Sequence, residues 1–405
     1  MDEKKINRRK FISDSSLKLA GAGLLLNQFA ARAVFGGDKP AANQKLLPAP
    51  AMEYRVLGKT GLKVSAVSFG VMRLTEPAVL FKALDLGINY FDTAESYQNG
   101  NNEKMLGTVL KQHGRKKVFI ATKIHPFDFS AQEPEKSNSR DRKTLNALFD
   151  KCLERLQTDY VDVFFIHNIM VAGQQTHEEV LAFVEKIKKD GKARFVGISI
   201  HDPRCYVDVV NQVATAKVYD VILAWFNFKS PPEYIEALKR AAKANVGIIA
   251  MKTQAGGYPD AATAGINPQQ AALRWALQQP YVSCAIPGMV NIEQVVENVG
   301  AVEKRIGWRD RKSLHCYYDA IKDKYCIMCG QCAETCSNKI DVYAINRALM
   351  YCEGYKDFEQ GRQTYRELAS SRNARACLSC SSPTFTCANG MQICERMRYA
   401  HTLFA

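Results

Sequence analysis

The strongest constraint on this chain is a rhythm. Eight short apolar runs, at residues 64–71, 90–93, 118–123, 161–167, 195–200, 221–226, 246–251 and 283–286, alternate with amphipathic segments such as 77–86, 142–156, 178–189, 233–244 and 268–278. Short runs that stay apolar without alternating are strands covered on both faces, and a helix between successive strands makes them parallel. Eight such units within about 250 residues predict an α/β chain closed into a (β/α)8 barrel. A doubly wound open sheet is the competing arrangement, but no Gly-x-Gly-x-x-Gly follows the first run. Met52 to Val64 reads as a two-strand hairpin around Gly58 and Gly61 that closes the barrel floor.

The ends of these runs carry chemistry. The second run contains Asp92, Tyr97 follows it, the third ends in Lys123, and the fourth ends in His167. Strand C-termini are where this barrel keeps its catalytic groups. A Lys beside a Tyr lowers the phenol's pKa, and an Asp keeps that Lys charged. The phenol is then a proton donor, and the His is a second hydrogen-bonding group for the same oxygen. The plainer alternative makes Asp92 a helix cap, Tyr97 a core residue, and Lys123 and His167 ordinary strand ends.

In type, order and placement, Asp92, Tyr97, Lys123 and His167 resemble the catalytic tetrad of the aldo-keto reductase family. The likeness runs from about Met52 to Glu303, and includes Leu57 to Ser65, Glu103 to Gly107, and Gly197 to Ser199. It implies an NAD(P)(H)-dependent oxidoreductase acting on a small carbonyl or sugar substrate. It also implies cofactor-binding roles for Ser199, for Phe226 as an aromatic stacked on the nicotinamide, and for Asn298 at the adenine. Lys252, after the seventh run, is placed to reach the pyrophosphate. Gly288 lies in the turn after the eighth run, before a helix capped by Asn291 with Gln294 in capping-box position. A helix start at that point is the barrel's usual phosphate site.

Some positions depart from the family's pattern. Gly288 and Met289 stand where the family usually has Lys and Ser, and Gln294 where it has Arg. Those basic groups pair a 2′-phosphate, so NAD(H) is slightly favoured over NADP(H). Ile200 and Leu223 replace an Asn and a Gln that usually hold the nicotinamide amide. Tyr97, Phe127, Met170 and Trp225 near strand ends predict an apolar-walled substrate pocket.

Ten of the thirteen cysteines fall between Cys316 and Cys394. Cys326, Cys329, Cys332 and Cys336 have the C-x2-C-x2-C-x3-C spacing of a bacterial [4Fe–4S] ferredoxin. Cys377, Cys380 and Cys387 keep that spacing with Pro383 in the third place. The tail thus resembles a two-cluster ferredoxin module with seven of eight ligands. In such modules the fourth Cys of each run serves the other cluster. Cys326, Cys329, Cys332 and Cys387 then complete one [4Fe–4S] set. Cys336, Cys377 and Cys380 leave a second set that Cys394 or Cys352 would complete, or that holds three irons or none. Structural zinc is the main rival, since it accepts paired Cys-x2-Cys motifs; disulfides fit the spacing poorly. Cys152, Cys205 and Cys284 lie on barrel elements and read as core.

A chain of 405 residues exceeds one typical core, so two units are expected. These are a barrel at 52–312 and a mainly α-helical, ferredoxin-like domain at 313–405. Residues 1–33 contain Arg8, Arg9, Lys10 and Phe11, a short glycine-containing apolar core, and small residues at Ala31 and Ala33. This resembles a twin-arginine export signal, which implies the twin-arginine machinery as a partner and an extracytoplasmic, periplasmic location. Residues 34–51 read as a linker. The formal charge of +14 is scattered rather than clustered with aromatics, so a basic surface is expected and nucleic-acid binding is not. Two functions compete: a hydride-transfer oxidoreductase coupled to an iron–sulfur cluster, with an electron-transfer partner, or a non-catalytic electron-transfer or redox-sensing protein on the same barrel.

Overall fold

The computed structural model describes residues 52–127, 137–259, 266–332, 336–381 and 386–405. The export segment and linker expected over residues 1–51 lie outside the described residues.

The chain enters through a hairpin of β1 (Tyr54–Val56) and β2 (Lys63–Ser65), paired antiparallel. Gly58 in its turn has φ 48°, and a Cβ there would meet the Gly247 amide nitrogen at 2.3 Å. Only glycine lets the hairpin lie this close beneath the barrel. Eight parallel strands follow: β3 (Phe69–Gly70), β4 (Tyr90–Asp92), β5 (Phe119–Ile124), β6 (Val161–Ile169), β7 (Ala193–Ile200), β8 (Val221–Trp225), β9 (Gly247–Met251) and β10 (Cys284–Ala285). Each pairs with its sequence neighbour, and parallel bridges Val67–Ala285 and Gly70–Gly288 join the last strand to the first. A Cβ on Gly70 would meet the Ile286 carbonyl oxygen at 2.8 Å, so glycine also permits the closure. The expected first strand at 64–71 is thus divided. Its start belongs to the floor hairpin, where the Ser65 amide donates to Asn89 Oδ1 at 2.7 Å, and only its end joins the barrel.

Period two sorts the side chains. Tyr90, Ala121, Val163, Phe165, Val221, Leu223 and Ile249 fill the interior above Leu57 and Leu62 of the hairpin. Alternate residues such as Phe91, Ile120, Phe164 and Ile222 face the surrounding helices. Those helices are α1 (Pro77–Asp85), α2 (Asn101–His113), α3 (Arg142–Leu156), α4 (Glu178–Lys189), α5 (Tyr206–Ala216), α6 (Pro232–Lys243), α7 (Pro268–Leu277) and α8 (Ile292–Val299). Side-chain caps start several of them: Asp141 accepts from the Thr144 amide at 2.8 Å, and Asn291 from the Gln294 amide at 2.9 Å.

After α9 (Trp308–Ile321) come α10 (Val342–Glu353), α11 (Phe358–Arg366) and α12 (Ile393–Phe404), with no strand among the described residues of this tail. Rather than packing on the barrel's side, the tail crosses its mouth. It is tied to loops after four strands. Arg73, after β3, donates to the Tyr355 carbonyl and pairs with Asp357 at 3.8 Å. Asp202, after β7, accepts from the Tyr343 hydroxyl at 3.0 Å. Asn227, after β8, donates to the Tyr325 hydroxyl at 2.8 Å, and Tyr234 to the Met328 carbonyl at 2.7 Å. Lys252, after β9, donates to the Tyr351 hydroxyl at 3.0 Å.

Candidate active site

Strand parity builds the site. Asp92 follows Tyr90, Lys123 follows Ala121, and His167 follows Phe165, each two residues along on the interior face. All three reach the top of the barrel, where β4, β5 and β6 are neighbours. Lys123 Nζ lies 2.5 Å from Asp92 Oδ1, 2.6 Å from the Thr93 carbonyl oxygen and 3.4 Å from the Tyr97 hydroxyl. Tyr97 meets His167 edge-on, with ring centroids 5.9 Å apart. The four residues anticipated as a tetrad therefore converge.

The electrostatics differ from the sequence expectation in one respect. Burial raises the Tyr97 pKa well above its ordinary value, and the charges of Asp92 and Tyr351 add to the shift. The net shift is upward although Lys123 Nζ lies 3.4 Å from the hydroxyl. Burial lowers the Lys123 pKa, against the pull of Asp92. His167 is held well below 6.5 by burial, then by His125 and Lys123, so the ring is neutral near pH 7. Its Nδ1 is buried with no hydrogen-bond partner among the described residues.

Two further histidines went unread in the sequence. His125 stacks on His167 with centroids 4.0 Å apart, and burial lowers its pKa to about 4. His201 Nδ1 lies 3.0 Å from Asn168 Oδ1, and its Nε2 3.2 Å from Met251 Sδ. Both follow an interior strand residue by two, Lys123 and Ser199, so period two was the signal that could have found them.

A cavity of about 790 Å³ runs from this centre to the loop after β10, within the range of roughly 300–1,000 Å³ usual for ligand pockets. Asp92, Tyr97, His125 and His167 line one part, and Gly288, Gln294 and Asn298 another. The tail supplies the roof. Ala344, Arg347 and Tyr351 share one face of α10, at spacings of three and four, and Gln360, Gln363, Thr364 and Glu367 repeat that pattern along α11 and its end.

The expected cofactor residues are placed unevenly. Gly288 and Asn298 line the cavity, and Gln254 donates to Asn298 Oδ1 at 3.1 Å. Gln294 Oε1 accepts from the Val290 amide at 2.8 Å, so its side chain folds onto its own turn instead of completing a capping box. Lys252 also lines the cavity, but its ammonium is engaged by Tyr351. Ser199 is fully buried, and its Oγ accepts from the Asn168 amide at 2.8 Å, bracing the end of β6. Phe226 corrects the expectation outright. It has the opposite parity to Leu223 and Trp225, faces outward, and packs on Trp275 and Tyr281 with centroids 5.2 and 5.9 Å away. Among the expected pocket walls, Tyr97, Phe127 and Met170 line the cavity. Trp225 instead stacks beneath Tyr325 of the tail at 6.4 Å.

The tail cysteines gather into two groups. Cys326, Cys329, Cys332 and Cys387 line one small pocket beside Val342, Tyr343 and Asn346 of α10. Burial and the neighbouring thiols push Cys326 up to about 12 and Cys332 up to about 11. In the second group Cys377 is pushed up to about 11, by burial first and then by Cys336, Cys394 and Cys380. Among the described residues, no three His, Cys, Asp or Glu side chains converge on a point where a single metal ion would sit.

The sequence model of the Aldo/keto reductase family matches residues 71–261 and 260–312, more than half of the chain and ending before Cys316. An L-galactose dehydrogenase from Arabidopsis thaliana is 32% identical over 293 residues, which cover 62% of this chain and 88% of that protein. A methylglyoxal reductase from Escherichia coli is 30% identical over 271 residues, covering 62% of this chain and 87% of its own length. Among solved structures, the holo form of an aldo-keto reductase from Bacillus halodurans superposes with a TM-score of 0.55 at 24% identity, covering 66% of this chain and 96% of that one. Strand order, closure and the convergence of Asp92, Tyr97, Lys123 and His167 agree with that match. The chain belongs to the aldo/keto reductase family of NAD(P)-dependent oxidoreductases.

Proposed function

We propose that the protein interconverts a small carbonyl compound, a sugar among the candidates, and its alcohol, and that its tail holds iron–sulfur clusters coupled to this chemistry. The observation that carries the first part is the buried Asp92–Lys123–Tyr97 chain, with Lys123 Nζ at 2.5 Å from the carboxylate and 3.4 Å from the phenol. The residues fit a dinucleotide in that one continuous cavity joins this chain to Gly288 and Asn298 after β10. When bound, a nicotinamide supplies or takes up hydride, and an iron–sulfur cluster gives or takes single electrons.

Tyr97 then donates its proton to the carbonyl oxygen, or takes one from the alcohol in the reverse direction. A raised phenol pKa keeps that proton in place near neutral pH. Lys123 lies beside the phenol and stabilises its charge when the proton leaves, and Asp92 fixes the lysine. Neutral His167 orients the same oxygen by hydrogen bonding. The α10 and α11 roof covers part of the cavity that holds the reacting atoms.

Gly288, Met289 and Gln294 carry no charge to pair a 2′-phosphate, which favours NAD(H). A roofed cavity also supports a dinucleotide that stays bound through many turnovers. Cys326, Cys329, Cys332 and Cys387 border one shared space, and the spacing of their motif supports a multi-iron cluster. Export in folded form through the twin-arginine route agrees with a chain carrying such groups.

A second reading, a non-catalytic redox sensor, draws on Lys252 being engaged by Tyr351 and on Phe226 facing away from the cavity. Tyr97→Phe decides between them. As an enzyme, the variant keeps dinucleotide binding and loses at least about a hundredfold in kcat. Near-normal turnover would sink the assignment. Identification of the nucleotide released from purified protein tests the cofactor, and recovery of NADP(H) would count against NAD(H).

A further inference from the structure

Arg347 lies on α10, in the tail, yet lines the catalytic cavity. Its charge reaches the catalytic end of that cavity. After burial, and beside Arg140 at His125, it opposes protonation of His125 after β5, His167 near the end of β6 and His201 after β7. Among the described residues it makes no hydrogen bond and no ion pair. Glu367 shares the cavity and feels the same charge, but its Oε1 accepts from Gln363 at 3.1 Å instead. Other cations around the cavity are engaged, Lys252 by Tyr351 at 3.0 Å, Lys123 by Asp92 at 2.5 Å and Arg73 by the Tyr355 carbonyl, and Arg140 and Lys356 also have partners. A half-buried guanidinium without a partner keeps its planar fork of donors available for a carboxylate or phosphate.

We infer that Arg347 is a specificity residue that recognises an anionic group on the substrate, a carboxylate or phosphate carried by the same small molecule as the reacting carbonyl. The inference rests on the hydride-transfer reading and deepens it. Substrate is favoured over the dinucleotide as the source of the anion because Arg347 acts on the histidines around Tyr97, whereas Gly288 and Asn298 lie in the loop and helix after β10. The anion would meet a tail residue while its carbonyl meets the barrel tetrad, so the tail selects what the barrel reduces.

Matched substrates test this with the full chain as purified. Succinic semialdehyde and butyraldehyde share a carbon count and differ by a carboxylate; D-galacturonate and D-galactose form a second such pair. Wild type should prefer the anionic member of at least one pair. Arg347→Gln should lower kcat/KM for that member by roughly ten- to a hundredfold more than for its neutral partner, the range of one charge-assisted hydrogen bond. Arg347→Lys should recover part of the loss, because it restores charge without the fork. Equal losses on both members, or no anionic preference in wild type, would overturn the inference.

Calorimetric binding of 4-hydroxybutyrate against 1-butanol gives a readout free of turnover. Binding of 4-hydroxybutyrate should weaken at least about tenfold in Arg347→Gln. Absent or unchanged binding overturns the inference even if aldehydes are reduced. Retained Arg347-dependent binding without turnover of any aldehyde would instead count against the hydride-transfer reading. Dinucleotide binding in the same variant identifies the other source: if it weakens while the aldehyde preference stays, the anion belongs to the cofactor and the substrate proposal is wrong.

Discussion

Lys252 Nζ lies 3.0 Å from the Tyr351 hydroxyl oxygen and 4.4 Å above the Tyr351 ring, joining the loop after β9 to the helix that roofs the barrel. The phenol's pKa is lowered, since Lys252 and Arg347 together outweigh its burial. Tyr351→Phe keeps the ring and removes the acceptor. The variant should lose about 1 kcal/mol in urea unfolding, and amides of Val342–Glu353 should exchange faster with deuterium. Unchanged exchange would mean that the roof is held by its other contacts.

Asp92 and Lys123 are 2% and 1% exposed, so neither charge has water to fall back on. Removing one partner of such a pair strands the other, at a cost of about 3–5 kcal/mol. Asp92→Asn should therefore unfold earlier in denaturant as well as lose activity. An inactive variant of wild-type stability would show that the pair serves chemistry alone.

Three histidines make stability depend on acidity. His125, His167 and His201 all have folded pKa values below 6.5, with His125 at about 4. Between those values the unfolded chain binds protons that the folded chain refuses. Stability is thus fully present above about pH 6.5 and falls as the pH drops toward 4, by up to about 1.4 kcal/mol per pH unit for each histidine. Unfolding measured at pH 7, 6 and 5 should show this slope, and His125→Asn should reduce it. An equal slope in the variant would assign the acid sensitivity elsewhere.

Iron content tests the cysteine groups separately. Anaerobically purified protein should hold about eight irons per chain if both sets are filled. Cys394→Ser should leave about four, because Cys394 stands with Cys336, Cys377 and Cys380. Zinc in place of iron would decide for the rival metal.

Much of the barrel was legible because its elements are local. Segments 142–156 and 178–189 are helices with the bounds their periodicity indicates. The tetrad was legible because each member falls on the interior parity of a strand. The same rule, applied one residue further, would have turned Phe226 outward and brought in His125 and His201. The roof was not legible. Ala344, Arg347 and Tyr351 form a half-polar stripe that reads as a solvated helix face, and the Lys252 that meets Tyr351 lies 99 residues away in sequence. Of Cys394 and Cys352, the two candidates the sequence offered for the second set, Cys394 on α12 is the one that stands near Cys336, Cys377 and Cys380.

Helix α10 borders two sites at once. Val342, Tyr343 and Asn346 line the cysteine pocket, while Ala344, Arg347 and Tyr351 line the catalytic cavity. A barrel cut from this chain near residue 312 would therefore have an active site missing one wall. Grafting the tail onto another barrel would likewise transplant half a binding site with it. Sequence drift in the cysteine pocket that tilts α10 changes the shape offered to substrate, and drift in substrate choice is constrained by what the cysteine pocket tolerates. The two halves must diverge together, as one inherited unit.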